Sequence, residues 1–291
     1  MEAGNPSPVT GTVALVGPGR AGTTIALALL ELGWRVASVA GRAPDAPSTV
    51  SAAACLGAEQ TLLTDVGRGA GIVIVATPDR SIESAARAVA PSLEPDALVF
   101  HLAGSIGLGA FSALLEARPD VRTGALHPLQ LFPSASMGIE RLRGAWAAVA
   151  GDPQTADLAR SLGMRPFDLA DADRAQYHAA AVVASNHLVA LLGQVERLTA
   201  ACGVPFEAFA PLVRSSVADA FGLGPARALT GPVSRGDLAT VEKHLATLDP
   251  GERDTYRTLA REVARKARSD GHATGVQHRS AGIRSRADSK G

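Results

Sequence analysis

Short apolar runs alternate with segments of helical periodicity over the first 170 residues of the chain. The runs are rich in Val, Ile, Leu and Ala, as expected for strands that are buried on both faces of a sheet. Strands are predicted at residues 11–16, 34–40, 60–63, 71–76, 97–101, 121–126, 144–150 and 165–169. Helices are predicted at residues 20–32, 47–56, 80–90, 111–117 and 153–162. This alternation predicts an α/β fold, with a Rossmann parallel sheet over residues 11–170.

The pattern changes after residue 170, where the strand signals end. Residues 173–201 form a long helical segment that is apolar nearly all round, which indicates burial in a second domain or in a subunit interface. Further helices are predicted at 205–221, 237–248 and 250–267. We expect an all-helical domain for substrate binding and dimerisation over residues 171–268. The first ten residues and a basic tail at 269–291 are expected to be disordered.

The segment between the first strand and the first helix carries the clearest motif. Gly17, Gly19 and Gly22 fit the pattern G-x-G-x-x-G. In a dinucleotide site the first glycine forms a tight turn, the second admits a pyrophosphate, and the third allows close helix packing. A plain glycine turn is the alternative interpretation. We expect the whole segment to bind the cofactor: Gly17, Pro18, Gly19, Arg20, Ala21 and Gly22.

The end of the second predicted strand indicates which cofactor is bound. Gly41 and Arg42 occupy the place where the adenosine ribose would lie. A cofactor with a free ribose hydroxyl usually meets an acidic residue there, whereas an arginine suits a 2′-phosphate. Arg42 therefore favours NADP over NAD. Two alternatives stay open, namely a solvated turn arginine and NAD held by the nearby Asp45.

Two further strand ends are expected to line the same cleft, because ligands of doubly wound sheets lie beyond the carboxyl ends of the strands. Thr77 and Pro78 follow the strand at 71–76 and are expected to contact the cofactor. Ala103 and Gly104 follow the strand at 97–101 and are expected beside the nicotinamide. Ser105, the next residue, either binds substrate or caps the following helix.

Four segments resemble known enzymes: the glycine motif, His-Pro-Leu-Gln at 127–130, Tyr177-His178 with Ser185-Asn186, and Leu-Thr-Gly-Pro-Val-Ser-Arg-Gly-Asp at 229–237. Their order resembles the NAD(P)-dependent dehydrogenases that join a Rossmann domain to an all-helical domain. That group includes 3-hydroxyisobutyrate dehydrogenase, pyrroline-5-carboxylate reductase, ketopantoate reductase and prephenate dehydrogenase. Within it, the chain is similar to an oxidoreductase family whose helical domain has no assigned function. The resemblance covers roughly residues 11–267 and implies a reductase, in some members of ketopantoate.

His127 is the first candidate for the proton donor in a hydride transfer. It is expected to follow a strand at the edge of the cleft, beside the stiff Pro128, and histidine titrates near neutral pH. Prephenate dehydrogenases carry a similar His-Pro, with the histidine on the substrate hydroxyl. A structural histidine in an interdomain turn is the alternative. Gln130 is a candidate substrate contact on the same segment.

The long helical segment carries a second group of candidates. Residues seven or eight apart on an α-helix lie within about 80° of each other, so His178, Ser185 and Asn186 can share one face. Asn186 could bond the reacting oxygen and His178 could act as the acid. Alternatively, a buried asparagine simply pins the helix. His187 points away from His178 and is expected in the core or in an interface.

The loop at 229–237 and a missing lysine complete the candidate chemistry. Arg235 could clamp a substrate carboxylate, and Asp237 could cap the next helix, although the loop could also be only a turn. Hydroxyisobutyrate and ketopantoate enzymes of the usual type place a catalytic lysine three or four residues before an asparagine. Those positions hold Val183 and Val182 here. The acid role therefore falls to a histidine, or the activity is absent.

Composition and charge limit the kinds of partner and the cellular location that we expect. The formal net charge is zero, which gives no electrostatic argument for nucleic acid or an anionic membrane. Only two cysteines occur, Cys55 and Cys202, so a reducing cytoplasm is the simplest location. We expect no metal site, no contact with a membrane and no stretch that reaches the length of a membrane span without Gly, Pro or a charged residue.

These patterns predict a cytoplasmic, homodimeric, NADP-dependent reductase of a small 2-oxo acid, similar to ketopantoate reductase. A reductase of a cyclic imino acid or of a prephenate-like compound is the alternative among enzymes. The missing lysine keeps a third hypothesis open, a non-catalytic sensor that binds NADP.

Overall fold

The computed structural model describes residues 11–269, which divide into two compact units between Asn186 and His187. The boundary expected after residue 170 lies earlier in the chain than this division, because the mainly helical residues 171–186 belong to the first unit. The first ten residues and residues 270–291, where most of the predicted tail falls, lie outside the described residues.

An eight-stranded sheet with the order β3-β2-β1-β4-β5-β6-β7-β8 forms the first unit. Its strands run parallel except at one pair, β6 and β7, which are antiparallel. The sheet is therefore the predicted Rossmann-type sheet with one reversed strand pair at its far side. The strands are β1 Thr12–Val16, β2 Arg35–Ala40, β3 Glu59–Gln60, β4 Ile72–Val75, β5 Leu98–His101, β6 Arg122–Pro128, β7 Trp146–Gly151 and β8 Arg165–Asp168.

Helices cover both faces of this sheet. The helices of the first unit are α1 Arg20–Glu31, α2 Pro47–Leu56, α3 Ile82–Val89, α4 Ser112–Ala117, α5 Ala135–Leu142, α6 Gln154–Ser161 and α7 Arg174–Val182. Short 3-10 turns lie at Asp79–Ser81, Ala90–Ser92, Leu108–Phe111 and Asp171–Asp173. Each central strand packs against the helices on both faces, because its side chains point alternately to one face and the other. Val13 and Leu15 of β1 pack in one core with α1, whereas Ala14 and Val16 pack in the other with α3.

The reversed strand pair changes the setting of His127. The sequence placed this residue after the strand, but it lies inside β6, where it pairs with Ala148 of β7. The prediction of a loop position was wrong because strand β6 continues to Pro128, whose missing N–H is tolerated near a strand end. Its side chain therefore stands on a rigid strand.

The second unit consists of helices. It begins at the last residue of the π-helical segment Val183–His187, and its helices are α8 Leu188–Ala201, α9 Ala210–Leu223, α10 Pro225–Ala228, α11 Leu238–Thr247 and α12 Pro250–Ser269. Glu252 on α12 joins it to α8 by an ion pair with Arg197 and by its carbonyl, which accepts from Gln194. An α11–α12 contact is formed by His244 and Tyr256, with Nδ1 and the hydroxyl 2.7 Å apart.

Helix α8 is not buried within this chain. Of the two expectations, burial inside a second domain is therefore wrong for this helix, and burial in a subunit interface stays a prediction. In the described part of this unit, buried side chains are few and include Gln194 and Thr199. Several large apolar side chains are exposed instead, among them Leu212 at 63 % and Phe221 at 90 %. The apolar side chains of this helical unit therefore do not form a buried core within one chain.

The expectation that no segment could span a membrane was wrong by length and composition. The helical stretch Asp171–Ala201 has 31 residues and contains an 18-residue window with a mean hydropathy of 1.3. A single such helix is weak grounds for a membrane protein, since core and interface helices share this composition. The stretch also carries polar side chains near its middle, and Tyr177 contacts the sheet of the first unit, which lipid exposure would oppose.

Candidate active site

The turn between β1 and α1 is held by glycines whose side-chain positions are occupied by backbone. Gly17 has φ +85°, a conformation that glycine adopts without strain, and a Cβ here would lie 2.7 Å from the amide nitrogen of Thr77. A Cβ on Gly22 would lie 2.6 Å from that of Ala76. Helix α1 can therefore approach the end of β4 only because these residues lack side chains.

Gly19 faces open space, since an added Cβ would meet no atom within 4 Å. This residue is the N-cap of α1, and no side chain caps the helix. The first amide groups of α1 are thus left to a ligand, and the helix dipole adds positive potential at the same point. An anion such as a pyrophosphate fits this position.

A cleft of about 1120 Å³ opens at this turn. It lies beyond the ends of β1, β2 and β4 and includes the place between β1 and β4 where the strand order reverses, which is the switch point of a doubly wound sheet. Predicted cofactor residues in its lining are Gly17, Pro18, Gly19, Arg20, Ala21, Gly41, Arg42, Thr77 and Pro78. Gln130, expected to contact substrate, also lies in this wall, where its Oε1 accepts from the amide of Leu131.

Three arginines line the cleft: Arg20, Arg42 and Arg80. Arg42 follows β2 and Arg80 lies in the turn after β4, so their charges come from two strand ends. Asp45, the residue that would favour a free ribose, is not part of the lining. The hydroxyl of Thr77 is buried there without a hydrogen-bond partner. The cleft thus offers cations and an unpaired hydroxyl, which suits a phosphorylated dinucleotide.

Residues after β5 lie close to the helix α7. Gly104 is buried against two histidines, since a Cβ here would lie 2.9 Å from Nε2 of His127 and 2.5 Å from Nδ1 of His178. Ser105 donates its hydroxyl to the carboxylate of Asp79 and so joins the ends of β4 and β5. The structure therefore brings Gly104, His127 and His178 together and gives Ser105 a partner within the protein.

The core of the histidine cluster is a hydrogen-bonded pair. Nδ1 of His127 lies 2.8 Å from the hydroxyl of Tyr177, a residue that the sequence reasoning quoted without assigning a role. The ring of His178 meets that of His127 edge-on, with centroids 5.8 Å apart. The Nδ1 atom of His178 is buried without a partner. Strand β6 and helix α7 together place these three rings.

The pKa values of His127 and Tyr177 favour neutral side chains. Burial, with help from His178 and Arg174, lowers the pKa of His127 to about 4. Burial raises the pKa of Tyr177 to about 12. The expectation that His127 titrates near neutrality is therefore wrong, because the ring is desolvated on its strand. The tyrosine hydroxyl can donate to Nδ1, which leaves the ring proton on Nε2, beside Gly104.

Two neighbours of the cluster were also missed from the sequence. His101 ends β5 and is fully buried, and burial followed by the charge of Arg174 lowers its pKa to about 4. Arg174 is fully buried as well. A helical signal was available, since Arg174, Tyr177 and His178 are spaced i, i+3 and i+4 and so share a face of α7.

A π-helical segment changes which residues share a helix face with His178. The wider turn at Val183–His187 adds about one residue to the helix. The residue that shares a face with His178 is therefore shifted from Ser185, seven residues later, towards Asn186, eight residues later. Ser185 donates to the carbonyl of Ala181 at 2.6 Å and lies 2.9 Å from Oδ1 of Asn186. The amide of Asn186 is exposed.

Arg235 lies in the second unit, in the loop before α11, with an exposed side chain. Asp237 caps α11 as expected, because its carboxylate accepts from the amide of Thr240 at 3.1 Å. The loop therefore has a structural role at its end. Among the described residues, no group of three or more His, Cys, Asp or Glu side chains is arranged to hold a metal ion.

Comparison with known families matches part of the chain. Residues 147–263 match a family described as Domain of unknown function (DUF2520). That range includes β7, β8, the helix α7 and most of the second unit. No curated protein matches the chain.

Solved structures share the fold over most of the chain. A candidate NADP oxidoreductase from Bacteroides fragilis is 24 % identical, with a TM-score of 0.74 over 88 % of this chain and 98 % of that one. An imine reductase from Pseudomonas sp. is 16 % identical, with a TM-score of 0.62 over 90 % and 95 %. A Plasmodium falciparum pyrroline carboxylate reductase with NADP bound is 12 % identical, with a TM-score of 0.58 over 91 % and 99 %. At these identities the likeness establishes the fold.

The fold is expected to lose stability as the pH falls from about 6.5 to about 4. In the folded chain His101 and His127 stay neutral down to a pKa of about 4, whereas in the unfolded chain histidines take up protons near pH 6.5. The unfolded state then binds more protons, so its free energy falls relative to the folded state, by about 2 kcal/mol for each histidine at a pH of about 5.

Urea denaturation at neutral pH and at a pH near 5 measures this difference, and the variant His101→Phe should reduce it. Equal free energies of unfolding at the two pH values would contradict the neutral histidine cluster.

Proposed function

We propose that this protein is an NADP-dependent reductase of a small molecule with a C=N or C=O bond. The observation that carries the proposal is the arginine-lined cleft at the glycine turn, together with the Tyr177–His127 pair of the same unit, in which His127 lies near the end of β6. The names of the fold relatives, an NADP oxidoreductase and reductases of imines and of pyrroline carboxylate, support the same class.

The cofactor assignment rests on charge. A pyrophosphate would be held by the free amides of α1 at Gly19, and a 2′-phosphate by Arg42 with Arg80 across the cleft. The unpaired hydroxyl of Thr77 would gain a partner from the same ligand. NADPH supplies the hydride in such a reaction, and the protein supplies its orientation and the proton.

The proton side of the reaction is assigned to His127. With a pKa of about 4 this ring is neutral at pH 7, so it acts through an N–H rather than as an imidazolium. The substrate heteroatom takes the Nε2 proton while Nδ1 receives the proton of the Tyr177 hydroxyl. Water then returns a proton to Nε2 while Nδ1 gives its proton back to the Tyr177 oxygen, which restores the starting state. This pair takes the place of the lysine that the chain lacks.

Imines are the favoured substrates and 2-oxo acids such as ketopantoate the second candidate. The known oxo acid enzymes that the chain resembles use a lysine, and this chain has none between residues 171 and 186. An imine is easier to protonate than a ketone, so a weakly acidic donor is sufficient. A relative of this fold is itself an imine reductase.

Arg42→Ala is expected to weaken NADPH binding roughly tenfold or more, because one charge-assisted contact to the 2′-phosphate is lost. NADH lacks that phosphate, so its affinity should change little. Fluorescence titration of the reduced cofactors measures both constants. Arg87→Ala, an exposed arginine of α3 outside the cleft lining, is the matched control. Equal losses for NADPH and NADH would contradict the assignment of Arg42.

Tyr177→Phe is expected to lower kcat for a cyclic imine roughly 10- to 100-fold while leaving NADPH affinity unchanged, because it removes only the hydroxyl that supplies the proton. Loss of nicotinamide absorbance with 2-methyl-1-pyrroline, 1-pyrroline-2-carboxylate and ketopantoate measures turnover. The control is Tyr256→Phe, whose hydroxyl also bonds a histidine but in the second unit. Tight NADPH binding without turnover of any compound would instead support the sensor hypothesis.

We also propose that the helical unit pairs with a second copy of this chain, as a homodimer. Few of its described side chains are buried, while Leu212 and Phe221 on α9 and Val189 on α8 stand in solvent. Because the formal net charge is zero, two copies of the chain do not repel each other through net charge. Isologous pairing would cover the same face on both copies.

Phe221→Asp is expected to convert the dimer to monomer at micromolar concentration, because it places a charge in an apolar interface. Light scattering after size exclusion measures the mass. Leu62→Asp, an exposed apolar residue of the first unit, is the control. A monomeric wild-type chain, or one that floats with lipid vesicles, would overturn the dimer.

A further inference from the structure

Arg174 has the largest fully buried side chain within residues 11–269, with 0 % exposure. Its Nε donates to Oδ1 of Asp171 at 3.1 Å. Its Nη1 and Nη2 atoms, which carry four of the five N–H groups of a guanidinium, have no hydrogen-bond partner. A buried cation with unpaired donors is unfavourable unless an acceptor completes it.

Asp171 does not supply that acceptor. Its second oxygen accepts from the amide of Leu108 at 2.8 Å, and its side chain is partly exposed. A Cβ on Gly107 would lie 2.7 Å from Oδ1, so the carboxylate is wedged against the backbone of this turn. Asp171 therefore meets Arg174 through Nε alone, and the outer edge of the guanidinium stays unpaired.

The unpaired edge belongs to the helix face that meets His127. Arg174 lies three residues before Tyr177, whose hydroxyl is 2.8 Å from His127, and four before His178, whose buried Nδ1 is also unpaired. The four Nη hydrogens of Arg174 are thus unpaired, while both oxygens of Asp171 are taken by Nε and by a backbone amide and the carboxylate of Asp79 accepts from Ser105. Such a set of donors is complementary to an anion.

We propose that Arg174 binds the carboxylate of the substrate through Nη1 and Nη2, so that the site selects imino or oxo acids over neutral imines. This inference rests on the proposed reductase function and names the substrate class of the same site. A carboxylate accepts two parallel N–H···O bonds from a guanidinium, which no lysine could match. Arg174 then takes the role that the sequence suggested for Arg235.

Because the guanidinium is closed off, binding requires the surrounding chain to open. The turn at Gly107 and Leu108 is joined to Arg174 through Asp171 and is the part most directly coupled to it.

A substrate pair that differs in the carboxylate tests this assignment. Turnover of 1-pyrroline-2-carboxylate and 2-methyl-1-pyrroline with NADPH is compared in the wild type, Arg174→Gln, Arg174→Lys and the exposed control Arg160→Gln. The expected result for Arg174→Gln is a KM raised roughly 30-fold for the carboxylate compound alone. Arg174→Lys should recover part of it. An equal loss for both compounds, as a purely structural arginine would give, overturns the proposal.

A second measurement does not depend on turnover. Calorimetry of L-proline and of pyrrolidine with the protein–NADP⁺ complex reports carboxylate binding directly, and NADPH affinity and thermal unfolding show that each variant is folded. Loss of L-proline binding in Arg174→Gln supports the site even if no imine is reduced, in which case only the reductase function fails. Reduction of imines with an unchanged carboxylate preference in Arg174→Gln overturns the site and leaves the reductase function standing.

Discussion

The close approach of helix α1 to the end of strand β4 is the constraint on which the cleft depends. Gly22 lies so near Ala76 that a Cβ would overlap it, and Gly17 turns the chain with a positive φ. Any side chain at these positions would push the helix away from the sheet. The same contact aims the uncapped amides of α1 into the cleft, so packing and anion binding share one cause.

Charge is distributed unevenly within the first unit. The cleft at the switch point is lined by arginines that reach solvent and are therefore accessible to phosphate groups. The surroundings of His127 are desolvated, so the pKa values of His101 and His127 are lowered and that of Tyr177 is raised, which keeps these three side chains neutral. The cleft proposed for a phosphate-bearing cofactor and the proposed proton donor thus lie in different environments within one unit.

Buried charge is the exception in that second environment. Arg174 keeps its cation away from water with one carboxylate contact, and its field acts on His101, His127 and Tyr177. Burial is the larger influence on each of these pKa values, and the arginine lowers all three. A bound anion would offset this field, so the protonation of the cluster and the binding of an acid are linked.

The sequence by itself determined the α/β class, the order of most strands and helices, and the glycine turn, because these follow from local periodicity and backbone sterics. Only the tertiary structure decided the antiparallel pairing that puts His127 inside a strand, the π-helical turn before His187, and the contact of Tyr177 with His127. Residues 50 apart along the chain meet there, and no local pattern encodes a pairing at that separation. Burial likewise arises from the assembled fold, which is why the shifted pKa values and the unpaired guanidinium of Arg174 could not be inferred from residue type.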